Sequence, residues 1–508
     1  MIKLFGGGKA DHPMATVKEV KVILDALPAT DSGKALEELA HWMNSVVGAE
    51  GFKLEDRIQR LFAVDDAAHA RIRKLAREYL AAVRPSKFQE ARLWTVVHEY
   101  WRQSAHAYAR CVDQFAQNAK GADGAKSQLA PLLTRALRSL SQQLKWMHLR
   151  YGPIDAVAWA AINNVYAFAE KRKVAQARVP ASAAITVESS PQDEFVRAAV
   201  FSGSSPDSLL PLEAELAERL ISEFAGGFTV SETAAAEHFL WTSLSQPSAP
   251  QRLVRPPPPE PGQRFIDGAA AVAALEPVIR ETESSGAVPS SVNLGGTFET
   301  ERVLDVMRHL ASCWSTTPVE RRHPRHNVKS RLAVVHGIDA VIDALEGDSG
   351  TSLNFDGRPD ESWIVENVSA GGFCAAVPQL KGDWLQVGAL IAMQPEGGAN
   401  WVVGVVRRVN KATAQEARVG IETLSKAPVA TRLEISGSFG TNQSVVMLRP
   451  GDPATGESRL VMPLGAFVAG QNLESQRSGK HHVYMALGVA ERGDDYEIAR
   501  FREMIRES

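Results

Sequence analysis

A chain of 508 residues is too long for one hydrophobic core and is expected to divide into three or four domains. Its composition, 44% hydrophobic and 23% charged, is that of ordinary globular protein. A formal net charge of −3 weighs against a globally basic coat for nucleic acid or a membrane surface, so any argument about anionic partners rests on local charge.

The N-terminus shows no apolar stretch of signal-peptide length, and Gly6-Gly-Gly-Lys9 lacks the Ser/Thr and the preceding strand of a phosphate loop, so it reads as a flexible end. No apolar run reaches the ~18 residues that a membrane span needs. Cys111, Cys313 and Cys374 are far apart and match no zinc spacing, which predicts a reduced, cytoplasmic setting without a metal site.

Residues from about 14 to 175 read as one helical array. In Asp56–Val83, Ile58, Leu61, Phe62, Ile72, Leu75 and Leu80 recur at helical spacings among charges. Trp94, Trp101, Tyr108 and Phe115 follow at seven-residue intervals, a stripe along one helix face that reads as core. No fixed-period repeat emerges, so a bundle or irregular solenoid is expected over 1–176. Val179–Pro191, rich in Ala, Ser and Pro, reads as loop. Within 177–314, helices are predicted at Ser208–Phe224, Gly268–Glu283 and Phe298–Trp314, with extended chain at Phe239–Val254. A stiff proline linker spans 255–262.

After Thr317 the period shortens to that of strands. Arg331–His336, Trp363–Val365, Trp401–Val406 and Val419–Ile421 alternate with Gly/Asn/Asp turns, predicting a small antiparallel barrel over 315–428. Ser444–Leu448, Ser458–Met462 and His482–Leu487 continue the pattern into a small β-rich unit over 429–508, with a terminal helix from about Tyr496. His481 and His482 would point to opposite strand faces, away from any shared metal. The fold class is thus α+β and multidomain: an all-helical N-terminal region, a barrel, and a C-terminal β unit.

The switch from helix to strand carries Glu320-Arg-Arg-His-Pro-Arg-His-Asn-Val-Lys-Ser-Arg331, with five Lys/Arg and two His against one acid. Arg73-x-x-x-Arg77 and Arg502-x-x-x-Arg506 show the same arginine spacing, both on apparent helices, and read as surface pairs. Pro324 sets Arg321-x-x-x-Arg325 apart, because it takes this copy out of a helix. Downstream, Asn367-Val-Ser-Ala-Gly-Gly372 follows the apolar strand Trp363-Ile-Val.

These two motifs in this order resemble the PilZ family, whose hallmark is Arg-x-x-x-Arg before a barrel and Asp/Asn-x-Ser-x-x-Gly at a strand end. Val368–Ala376, Trp401–Arg407 and Arg418–Ile421 look like the family's later strands, extending the resemblance over residues 320–428. It implies cyclic di-GMP as the ligand, with no cofactor and no catalytic residues. Arg321 and Arg325 would clamp that ligand from a loop, Arg322 would add a contact, and Asn367, Ser369 and Gly372 would form the floor. Guanidinium forks suit phosphate oxygens and guanine edges, and stack on purines. An amide offers a donor and an acceptor to a base edge. Gly372 suits a positive φ or a ligand pressed on the backbone.

The gap from Arg325 to Asn367 is longer than the family pattern. It holds a helical Ile338–Glu346 and a polar loop through Asp360, an insertion expected to cover or reshape the site. The reading is a non-enzymatic cyclic di-GMP receptor whose helical region serves as output and binds a protein partner, with no specific nucleic-acid target. The rival is a constitutive interaction scaffold around a non-binding barrel.

Overall fold

A computed structural model describes residues 10–81, 86–154, 156–182, 185–317, 323–347, 361–398, 400–437, 440–449, 456–477 and 479–506. Gly6–Lys9 and the polar run up to Asp360 lie outside these. The chain divides into two compact units, the first formed by residues 1–150, 154–206 and 211–319, the second by 151–153, 207–210 and 320–508.

In the first unit the helical spacing resolves into α1 (Val17–Asp25), α2 (Ser32–Gly48), α3 (Leu54–Tyr79), α4 (Lys87–Ala116), α5 (Leu129–His148) and α6 (Ala156–Lys171). The aromatic stripe lies on α4, where Trp101, Tyr108 and Phe115 are buried as core and Trp94 donates its indole N–H to the Trp146 carbonyl at 2.7 Å. Asp65, Asp66 and His69 converge on α3, but the Arg135 guanidinium already meets both carboxylates, at 3.2 and 3.0 Å. The Tyr100 hydroxyl donates to Asp65 at 2.9 Å, so this cluster is an ion-paired seam of the helical core.

The stretch expected as loop folds instead into a hairpin of β1 (Val179–Ser182) and β2 (Ile185–Ser189), then directly into α7 (Pro191–Gly203). Ser190 and Asp193 cap that helix reciprocally, with Pro191 at its first turn. The loop reading overlooked this signature because Ala, Ser and Pro dominate the local composition. α8 (Pro211–Glu223) follows. A four-stranded sheet in the order β3 (Thr229–Ser231), β6 (Gln263–Asp267), β4 (His238–Ser243) and β5 (Gln251–Arg252) comes next, then α9 (Ala269–Ser285) and α10 (Thr300–Trp314). The proline run joins β5 to β6 inside this sheet. No helix among the described residues is long and apolar enough to cross a membrane.

The second unit holds two closed antiparallel barrels. The first is built from β7 (His326–His336), β8 (Glu361–Ser369), β9 (Gly372–Val377), β10 (Leu390–Pro395), β11 (Val402–Lys411) and β12 (Ala417–Ser425), in the circular order β7-β8-β9-β12-β11-β10. Its interior is filled by Trp363, Val365, Ala375, Val406, Val419 and Ile421. Glu361, itself buried, accepts the indole N–H groups of Trp363 and Trp384, each at 2.9 Å. Tyr151 packs into this core and accepts the Val387 N–H at 3.3 Å.

The C-terminal β unit is a second closed barrel: β13 (Val429–Ile435), β14 (Asn442–Arg449), β15 (Glu457–Pro463), β16 (Leu473–Arg477), β17 (Lys480–Arg492) and β18 (Tyr496–Arg506). The predicted terminal helix is β18, so Arg502 and Arg506 stand on a strand. Two-sided burial explains the misreading. Tyr496 and Ile498 face a seam outside the barrel, while Ala499 and Phe501 face its interior, and this blurs the alternation that normally marks a strand.

The predicted insertion helix is α11 (Ile338–Gly347). Its Ile338, Val341 and Ile342 join Leu390 and Val403 of the first barrel to Val446, Val461 and Tyr496 of the second in one apolar cluster. Asp495 Oδ2 accepts the Ile338 N–H at 2.8 Å, so the second barrel caps this helix.

Candidate functional site

The signature Asn367–Gly372 wraps the β8–β9 hairpin. Ser369 pairs with Gly372 across a two-residue turn, Ala370-Gly371, and the Ser369 hydroxyl donates to the Gly372 carbonyl at 3.0 Å. The glycine has a cause other than the one expected. Its φ is not in the left-handed region; instead, a Cβ on Gly372 would stand 2.0 Å from the Ile421 carbonyl oxygen. Strand β12 therefore imposes the glycine, and no ligand is needed to explain it. Gly371 is bound into the same frame, its carbonyl accepting the Thr423 N–H at 3.0 Å.

A bulge in β8 places Asn367. Pairing with β9 shifts between Val365 and Asn367, so the inserted residue is Glu366 and Asn367 lies opposite Cys374. On its other side Asn367 faces Asn327, and Cys374 in turn faces Gly420, which faces Arg408. Directly opposed residues share a sheet face, so Asn327, Asn367, Cys374, Gly420 and Arg408 form one row. That row is on the outer surface, because Val365, Ala375 and Val419 hold the opposite face in the core. Its middle is a shallow floor of small side chains.

Asn367 carries the sharpest feature of the row. Its Oδ1 is shielded from solvent and has no hydrogen-bond partner among the described residues. A buried acceptor left in this state costs about 1–3 kcal/mol, which an incoming N–H would recover.

Arg325 is exposed and precedes β7 by one residue. His326 pairs with Val368 and Asn327 with Asn367, so Arg325 stands immediately before the segment that lies along the signature strand. The preceding chain crosses the turn, since a Cβ on Gly371 would meet the His323 ring at 3.7 Å. Burial and the Glu366 carboxylate push the Cys374 thiol up, against the charges of Arg418 and Arg325. Arg321 and Arg322 lie outside the described residues.

Residues of this face that the motifs did not mark are Asn327, Glu366, Cys374, Arg408, Arg418 and Gly420. Arg418 Nη2 donates to Glu366 Oε1 at 2.8 Å, and the Cys374 thiol lies 3.6 Å from Glu366 Oε2. Arg408 pairs with Asp207 at 2.5 Å. Only strand register brings them together, and no spacing along the chain encodes it. The insertion helix does not cover the row: α11 packs on the β10–β11 side of the barrel.

Residues 18–235 match the family model described as the N-terminal domain of the cyclic-di-GMP receptor FimW, and residues 356–431 match that of its middle PilZ domain. Residues 356–431 are a PilZ domain. The middle-domain match takes in β8, β9, β10, β11 and β12 with the whole Asn-x-Ser-x-x-Gly signature, while Arg325, β7 and α11 precede it. The helical array from α2 through α8, and all of α1 but its first residue, falls within the N-terminal match. No curated protein matches the chain.

Proposed function

We propose that this chain is a cytoplasmic, non-enzymatic receptor that binds cyclic di-GMP on the outer face of its PilZ barrel. The unpartnered Asn367 Oδ1 carries the reading. A guanine edge offers N–H donors to such an acceptor, and the flat Cys374–Gly420 floor leaves room for a planar base. Arg325, immediately before the strand that pairs with Val368 and Asn367, supplies a guanidinium fork for a phosphate or a purine face, with Arg321 and Arg322 as further contacts. Gly372 keeps the hairpin closed beneath them.

Binding without chemistry suits the groups present. The Ser369 hydroxyl is committed to a carbonyl, and the Cys374 thiol is pushed up, away from thiolate. The helical region is the output module and engages a protein partner. In support of coupling, residues 151–153 and 207–210 belong to the barrel unit, and Asp207 holds Arg408 at the end of the ligand row. The rival, a constitutive scaffold, drew on the insertion, whose helix packs away from the row.

Calorimetric titration of the full chain with cyclic di-GMP, with GTP as control, tests the reading. Saturable binding is expected, weakened about tenfold to a hundredfold by Asn367→Ala or Arg325→Ala, the effect of losing one charged or buried hydrogen bond. No heat and no thermal shift with the wild type would sink it.

A further inference from the structure

Beside the row stands a cation that the signature does not include. Arg418 lies on β12, its side chain 67% exposed, with Nη2 on Glu366 Oε1 at 2.8 Å. Glu366 is the residue that the β8 bulge inserts, adjacent to Asn367 in the chain, and its second oxygen faces the Cys374 thiol. Cys374 is in turn directly opposite Asn367. The carboxylate therefore sits at the edge of the floor where an anionic ligand would arrive, and it holds a guanidinium there by one hydrogen bond.

That arrangement is poorly explained as a device for stability. An exposed ion pair with one contact contributes little to folding. Arginine has five N–H donors, and a phosphate can take two of them side by side, a stronger match than the single contact to Glu366. Glu366 is also a like charge to any phosphate placed over Cys374. The pair is therefore inexpensive to open, and opening it removes a repulsion from the floor. Cations flank the row on both sides, Arg325 at the start of β7 and Arg418 on β12, which suits a ligand with two separated phosphates better than one with a single phosphate group.

We propose that Arg418 is a phosphate-binding residue of this site, and that Glu366 holds it in place until a phosphate displaces the carboxylate. The inference rests on the functional reading above and adds to it an exchange of partners. It gives the two residues of one ion pair opposite effects on affinity. Arg418 contributes to binding, whereas Glu366 competes with the ligand.

The test is calorimetry of the full chain with cyclic di-GMP and with GMP, at two salt concentrations, for wild type, Arg418→Ala, Arg418→Lys and Glu366→Gln. Melting of the ligand-free variants reports whether the outer face is intact. Arg418→Ala is expected to weaken cyclic di-GMP about tenfold and to flatten the salt dependence, since one phosphate contact is gone. Arg418→Lys should fall between, because an ammonium keeps the charge but not the fork. Glu366→Gln should tighten binding severalfold. GMP, with one phosphate, should respond less to Arg418→Ala. Arg418→Ala binding within twofold of wild type would overturn the inference and leave the receptor reading standing. So would Glu366→Gln weakening affinity as much as Arg418→Ala, which would make the pair a structural strut. A wild type that binds no cyclic di-GMP would overturn the receptor reading and this inference with it.

Discussion

The two barrels close in the same strand order. Numbering the strands of each from its own first, both run 1-2-3-6-5-4 and return to 1, through the β10–β7 pairing in one and β16–β13 in the other. Their interiors are also alike, Trp363 and Val419 in the first answering Tyr484 and Phe501 in the second. Their outer faces differ. In the first barrel the second strand ends in a bulge and a two-residue turn clamped by Gly372 against β12. The second strand of the other barrel, β14, also has a bulge near its end, between Met447 and Arg449, but its Asn442-Gln-Ser444, a fragment of the same signature, stands at the start of the strand, and Met447 occupies the place of the glycine. Connectivity, core and a bulge near the end of the second strand are thus common to both barrels, while the complete Asn-x-Ser-x-x-Gly hairpin, closed by a glycine under β12, belongs to the first.

The largest expected effect probes the shared part of that comparison. Trp363→Ala removes a fully buried ring from the first barrel and should cost about 4 kcal/mol, as should Phe501→Ala in the second. Because Ile342, Val403, Val461 and Tyr496 belong to one cluster, either change should lower a single cooperative transition of both barrels in chemical denaturation. Two separate transitions would break the view that α11 welds them.

The next effect sharpens the difference. Gly372→Ala must move either β9 or β12 and should cost about 3 kcal/mol while abolishing ligand binding. At the start of the third strand in the other barrel, Gly456 has φ +64° and its nearest obstacle, the Glu503 carbonyl oxygen, is 3.5 Å from a Cβ. Gly456→Ala should therefore cost only about 1 kcal/mol, the strain of a left-handed residue. Equal losses in thermal melts would remove the reason given for the signature glycine.

The smallest effect concerns the polar link between the barrels. Arg407 donates to both oxygens of Glu491 at 2.7 Å and to Glu422, also at 2.7 Å. Glu422 pairs with Gly372, so this triad joins the signature hairpin to β17. These groups are partly exposed, and Arg407→Gln should cost no more than about 1 kcal/mol in denaturant melts. A larger loss would mean that the ion pairs, and not the apolar cluster, hold the two barrels together.

The sequence made the helical array legible because Trp101, Tyr108 and Phe115 repeat on one face of a long helix. It made the first barrel legible because Trp363 and Val365 alternate and Pro324 bars a helix from the arginine motif. It misread β18, where Tyr496–Ala499 is buried on both faces, since periodicity cannot separate a doubly covered strand from a helix. It also took β1, β2 and the start of α7 for loop, because composition outweighed the cap at Ser190.

Of the candidate site, the chain by itself proposed Arg321, Arg322, Arg325, Asn367, Ser369 and Gly372, all of which are local motif positions. Only the tertiary structure decided that Asn367 Oδ1 has no partner, that β12 imposes Gly372, and that Glu366, Arg418, Cys374 and Gly420 share one face. The physical reason is register. Residues 52 positions apart, Glu366 and Arg418, become neighbours when β8, β9 and β12 pair, and one bulge at Glu366 chooses which side chains of β8 face outward.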